Sequence, residues 1–237
     1  MRRAPVFEIF SSIQGEGATL GERQIFVRFG GCNLHCDYCD EPDSIPAGAG
    51  EPWDGERLRS VILSHQSRRP HAAITWTGGE PLLYAPFIAE HTGWARELGL
   101  KNHLETNGIL AERMSSVVAQ MDRVVVDLKL PSATGKNLWA KHAAFLKAAG
   151  ARAHVKIVLT RAAEEGEWRR AVDLMAKHAP ETPLYLQPAT PVASSRGDGR
   201  RVEPIEAERA VAFLVLARRK LMSVRLLPQF HPMWGLK

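Results

Sequence analysis

All three cysteines of this 237-residue chain, Cys32, Cys36 and Cys39, fall within eight residues. With three and two residues between them, the thiols can reach one inorganic cluster from a single short loop, and thiolates are the ligands that iron–sulfur clusters take. A cubane held by three protein ligands leaves one iron open, and a vacant coordination position is where a small molecule can bind and react. A set of disulfides is excluded by the odd number and the local clustering. A zinc site completed by His35 or a distant histidine is the competing reading. It is weakened because His35 lies between two of the cysteines, where its backbone has little freedom to join them. A ferredoxin-like electron carrier lacks the fourth cysteine.

Two further segments have residue types suited to small-molecule binding. Thr77-Gly78-Gly79-Glu80-Pro81 combines glycines, which let the backbone approach a ligand, with a carboxylate able to accept from an ammonium group. Gln14-Gly15-Glu16-Gly17 presents acceptors and donors beside glycines, as a clamp on a flat heterocycle would; a plain hairpin is the alternative. Asp127, Lys129 and Gln187 are polar residues at the ends of apolar runs.

The elements that must position these groups follow from periodicity. Short β-branched or apolar runs predict strands at 24–29, 73–77, 103–106, 123–128, 154–159, 184–187 and 224–227. Helical patterns predict helices at 56–66, 87–98, 111–120, 137–149, 167–178 and 204–221. Strands separated by helices pair in parallel through right-handed crossovers. Seven such units predict an α/β fold, an open partial (β/α) barrel with a parallel sheet, with a doubly wound sheet as second choice. Either architecture places chemistry at the C-terminal ends of the strands. The unusual polar segments all follow strands and would meet at one rim.

Composition fits one soluble globular domain: 45% hydrophobic and 24% charged residues argue against disorder. No run of eighteen apolar residues occurs and the start lacks a long apolar segment, so no membrane span is expected and a cytoplasmic location is. Lys and Arg number 31 against 26 acids, a net charge of +5 that would suit nucleic acid, but the basic residues are dispersed and no stable nucleic-acid partner is expected.

The cysteine spacing, with Tyr38 just before the last cysteine and the cluster placed after a strand, resembles that of the radical S-adenosylmethionine (SAM) enzymes, which implies a partial barrel of the radical SAM type. The Gln-Gly-Glu-Gly segment, Arg28, Thr77-Gly78-Gly79-Glu80-Pro81, Glu105-Thr106-Asn107-Gly108, Leu186-Gln187-Pro188 and Pro228-Gln229-Phe230-His231 resemble, from Val6 to about Trp234, the 7-carboxy-7-deazaguanine synthases. The resemblance implies one domain over 1–237, with a substrate-binding segment at 6–31, a cluster loop at 32–50 and a C-terminal tail at 228–237. It implies a [4Fe-4S] cluster on Cys32, Cys36 and Cys39. SAM would be held by Tyr38, Gly79, Glu80, Asp127, Lys129 and Gln187. Ile13, Gln14, Gly15, Glu16, Arg28 and Thr77 would hold 6-carboxy-5,6,7,8-tetrahydropterin, with Arg28 on its carboxylate. The implied reaction is conversion of that pterin to 7-carboxy-7-deazaguanine with loss of ammonia, on the way to queuosine and other deazapurines, begun by hydrogen abstraction at C6. An electron donor such as flavodoxin or ferredoxin and a homodimer are implied too.

One position departs from the family pattern. Where a Thr or Ser hydroxyl commonly ligates Mg2+, two residues beyond the last cysteine, this chain has Glu41, itself a good ligand for a hard cation. Whether the terminal carboxylate of Lys237 reaches substrate is left open by the sequence. Two other functions stay in view: a glycyl-radical enzyme activase, which shares the cluster and SAM segments, and a non-enzymatic metal-containing tRNA-binding module.

Overall fold

The computed structural model describes residues 2–236; Met1 lies outside them, as does Lys237 and with it the question of its terminal carboxylate. Strands β1 (Ala4–Ile13), β2 (Arg23–Phe29), β3 (Glu51–Trp53), β4 (Ala73–Gly78), β5 (Lys101–Thr106), β6 (Arg123–Asp127), β7 (Ala153–Leu159), β8 (Leu184–Pro188), β9 (Val192–Ala193), β10 (Arg201–Val202) and β11 (Val224–Leu226) are interleaved with helices α1 (Gly55–Arg68), α2 (Ala85–Glu97), α3 (Ala111–Val117), α4 (Pro131–Thr134), α5 (Trp139–Ala149), α6 (Glu165–His178) and α7 (Ala207–Arg218). One nine-stranded sheet runs β11-β8-β7-β6-β5-β4-β2-β1-β3, and β9 and β10 form a separate hairpin.

From β2 to β11 the seven main strands lie in sequence order and are parallel throughout. A doubly wound sheet needs a point where the order reverses, and this sheet has none, so the partial (β/α) barrel is the architecture observed. The sheet is not wholly parallel, however. β1 pairs antiparallel with β2, Ile13 opposite Arg23, and β3 pairs antiparallel with β1. Only nine residues separate β1 from β2, too few for a parallel crossover. The hairpin reading of this segment therefore holds for its backbone, while residues 13–16 remain free to line a cavity.

Side-chain parity along the strands separates core from site, because successive residues point to opposite faces. Ile25, Val27 and Phe29, then Ile74 and Trp76, Val124 and Val126, Val155, Ile157 and Leu159, and Leu184 and Leu186 belong to one buried core beneath the helices. Their alternates, Arg28, Thr77, Glu105, Asp127, Lys156 and Gln187, all line a cavity on the opposite face. Helix α6 illustrates how the outer layer closes. Its buried Trp168, Ala171, Val172 and Met175 recur at helical spacing, Glu164 and Glu167 form a capping box, and Trp168 stacks on Phe213 of α7 at 5.2 Å.

Candidate active site

The cavity opens at the C-terminal ends of the parallel strands, and residues from both halves of the chain line it. Cys32, Cys36, Cys39, Leu34 and Tyr38 of the loop after β2 line it, as do Ile13, Gln14, Gly15, Glu16, Phe10, Phe26 and Arg28. Thr77, Gly79, Asp127, Lys129 and Gln187 complete this lining. Of the residues singled out in the sequence, Glu80 and Glu41 are not among those lining it.

Glu80 is fully buried. Its carboxylate accepts from Leu82 N at 3.0 Å, Thr106 Oγ1 at 2.8 Å and Asn107 N at 2.9 Å. Burial pushes its pKa up to about 7 even though those donors, Asn107 first among them, and Lys129 favour the anion. Its carboxylate thus ties the end of β4 to the end of β5. Gly79 presents backbone instead. A Cβ there would come 2.2 Å from Gly31 O, so only glycine lets this turn pack against the start of the cysteine loop. Asp40, next to Glu41, does line the cavity.

At the N-terminal clamp, Gln14 Nε2 donates to Glu105 Oε1 at 2.7 Å, and Thr77 Oγ1 donates to Glu105 Oε2 at 3.0 Å. Burial, then the nearby Glu16 charge, raise the pKa of Glu105. Glu16 is a hub: Gln187 Nε2 and Gln229 Nε2 donate to its Oε1 at 3.0 and 2.7 Å, and Lys156 Nζ to its Oε2 at 2.5 Å. Burial opposes its ionisation, but the charge of Lys156 and these hydrogen bonds outweigh it and hold the carboxyl at about 2. The tail closes this end. Phe230 N donates to Gly15 O at 2.9 Å, and a Cβ on Gly15 would collide with His231. Arg28 Nε donates to Glu8 Oε1 at 2.9 Å, and its guanidinium lies over the ring of Phe10 at 5.6 Å.

On the cofactor side, Lys129 Nζ donates to Asp127 Oδ2 at 2.7 Å and to Tyr38 OH at 3.2 Å. His142 is buried and accepts from Lys129 N at 3.1 Å. His91 is buried as well, and His65 is half-buried on α1.

The residues present fit an iron–sulfur cluster and SAM. Three free thiols, the soft donors such a cluster requires, face one cavity, and burial raises all three, Cys39 to about 12, so metal binding must displace their protons. Among the described residues no three His, Cys, Asp or Glu side chains gather around one point as a mononuclear site would need, whereas a cubane is ligated at separate corners. Asn107 Oδ1 and Asp127 Oδ1 are buried acceptors with no protein donor, and both residues line the cavity, which suits a ligand carrying ammonium, amino and hydroxyl groups.

Glu105, Lys156, Gln229 and His231 also line this site, although no individual role for them is legible in the sequence. For Lys156 a signal existed: it is a charged residue at the inward parity of a mostly apolar strand.

Residues 26–175 match the model of the radical SAM superfamily. A 7-carboxy-7-deazaguanine synthase of Geobacter sulfurreducens is 37% identical over 98% of this chain and 97% of its own length. The protein of that name from Methanopyrus kandleri is 34% identical, covering 95% and 91%. Among solved structures, QueE from Escherichia coli superposes with a TM-score of 0.64 over 97% of this chain and 95% of its own at 20% identity. A radical SAM methyltransferase from Sphaerobacter thermophilus gives 0.65 over 87% and 66% at 16% identity.

Proposed function

The chain belongs to the radical SAM superfamily and, within it, to the 7-carboxy-7-deazaguanine synthases, and from that premise we propose that its cavity converts 6-carboxy-5,6,7,8-tetrahydropterin to 7-carboxy-7-deazaguanine with loss of ammonia, in queuosine biosynthesis. The observation that carries this reading is that one cavity is lined both by the three thiols and by Gln14, Glu16, Arg28 and Glu105. Cys32, Cys36 and Cys39 would hold the [4Fe-4S] cluster, and Gly79, Asp127, Lys129, Tyr38 and Gln187 would surround SAM. The cluster and SAM together supply, when bound, a radical able to take a hydrogen atom from carbon.

The protein's own contribution is position and charge. Arg28, steadied by Glu8, offers two N–H groups in one plane to the substrate carboxylate, which fixes C6 relative to the cofactor side. Glu105 is an acceptor for the N–H edge of the pterin, held by Gln14 and Thr77. Glu16, locked as an anion, serves as the anchor of Gln187 and Gln229 and not as a proton carrier, because a carboxyl at about 2 is a weak base at neutral pH. The half-buried aromatics Phe10 and buried Phe26, stacked at 5.0 Å, form an apolar wall.

A Mg2+ ion, a flavodoxin or ferredoxin as reductant, a homodimer and a cytoplasmic location complete the proposal. No helix among the described residues is long and apolar enough to cross a membrane. Anaerobic reconstitution with iron and sulfide, then incubation with SAM, reductant and the pterin, tests the reading. One deazaguanine acid and one ammonia per pterin consumed are expected; intact pterin beside active SAM cleavage would refute the substrate.

A further inference from the structure

The hairpin of β9 and β10 stands outside the barrel sheet, yet it is fastened to the cysteine loop. Ser195 N donates to Asp37 O at 3.0 Å, Ser195 Oγ to Cys36 O at 2.7 Å, and Ser195 O lies 2.9 Å from His35 Nε2. The Asp37 carboxylate forms ion pairs with Arg196 and, at 3.3 Å, with Arg200. Arg196 Nη2 also donates to Ala133 O, the carbonyl that accepts from Asp37 N.

We propose that this hairpin is a clasp: Ser195, Arg196 and Arg200 are positioning residues that hold the three-cysteine loop in its cluster-binding shape and offset the Asp37 charge beside the cluster. Two physical reasons support it. First, residues 35–37 lie between or on the thiol ligands, and the backbone carbonyls of Cys36 and Asp37 both accept from Ser195. Little else in that stretch is fixed by the loop itself, where Cys39 N donates to Cys36 O at 3.2 Å. Second, Asp37 is only 7% exposed and is adjacent to Cys36. A buried carboxylate next to a thiolate-ligated cluster makes the addition of an electron harder, since cluster potentials follow local charge and hydrogen bonding. The guanidinium of Arg196, with that of the exposed Arg200, which also pairs with Asp198 at 2.7 Å, offsets part of that charge.

The inference rests on the three thiols holding the cluster and not on the identity of the pterin, so the two readings fail separately. The test uses the full chain reconstituted anaerobically, with iron release measured under a ferrous chelator and the midpoint potential measured by spin-resonance titration. Ser195→Ala is expected to release iron about fivefold faster, the worth of one hydrogen bond. The pair Arg196→Met with Arg200→Met is expected to release it faster still and to shift the potential to more negative values. The pair Arg196→Lys with Arg200→Lys restores the potential, because the charges remain. Release and potential both equal to those of the unaltered chain in the methionine pair would overturn the clasp. Should the methionine pair fail to fold, Ser195→Ala decides by itself: unchanged iron release contradicts the proposal and accelerated release supports it.

Discussion

Lys156 Nζ lies 2.5 Å from Glu16 Oε2 and 3.4 Å from Asp127 Oδ2, and so bridges the segment after β1 to the end of β6. Because Asp127 also pairs with Lys129, and Lys129 reaches Tyr38, anions and cations alternate across the cavity floor from the pterin end to the cluster end. Each charge in such a buried row is tolerable only while its neighbours are present.

Lys156→Met should therefore leave Glu16 buried without its strongest partner. A loss of about 3 kcal/mol in stability is expected, the range for breaking a buried pair from one side. Glu16→Gln combined with Lys156→Met removes both charges and should recover much of that loss. Chemical denaturation of the four members of this cycle checks it; single losses that simply add in the double variant would refute the pairing.

The same pair sets an acid limit. The Glu16 carboxyl sits near 2 in the folded chain against an ordinary value of 4.5, so between these values the unfolded chain binds more protons. Its stabilisation is complete above pH 4.5 and fades as the pH falls toward 2. Between pH 5 and 3 the expected loss from this group is on the order of 2 kcal/mol. Thermal melts of Glu16→Gln over that range should fall less steeply than those of the unaltered chain.

Arg28→Lys should keep the cluster and SAM binding, since neither touches this residue in the proposed arrangement. KM for the pterin should rise about tenfold or more, because a planar two-point grip on a carboxylate becomes a single ammonium contact. Steady-state kinetics with unchanged KM and kcat would remove Arg28 from the substrate site.

For magnesium, Asp40, which lines the cavity, and its neighbour Glu41 are the two carboxylates to compare. Asp40→Asn is expected to raise the Mg2+ concentration needed for half-maximal turnover, and Glu41→Ala to leave it unchanged. The reverse pattern would return the ligand role to Glu41.

Much of this architecture was legible in the sequence because its signals are local. β-branched runs and helical periods located all seven parallel strands and six helices, and the cysteine spacing marked the cluster loop. What escaped depends on distant partners. Glu80 follows two glycines, but the bonds from Thr106 and Asn107 that brace it come from the next βα unit and show only in the fold. The β9–β10 hairpin has two-residue strands, too short for any period, and its link to Asp37 spans about 160 residues of sequence. Lys156 was visible as an inward-parity charge, but its meaning needed Glu16, 140 residues away.

The central claim, that the thiols and the pterin clamp serve one cavity, is met most directly by following the hydrogen on C6. With substrate deuterated at C6 and the reconstituted chain, deuterium should appear in the 5′ position of the adenosyl group recovered after turnover, and not when Cys36 is replaced by Ala. Product formed without any transfer of deuterium to that group would contradict the account.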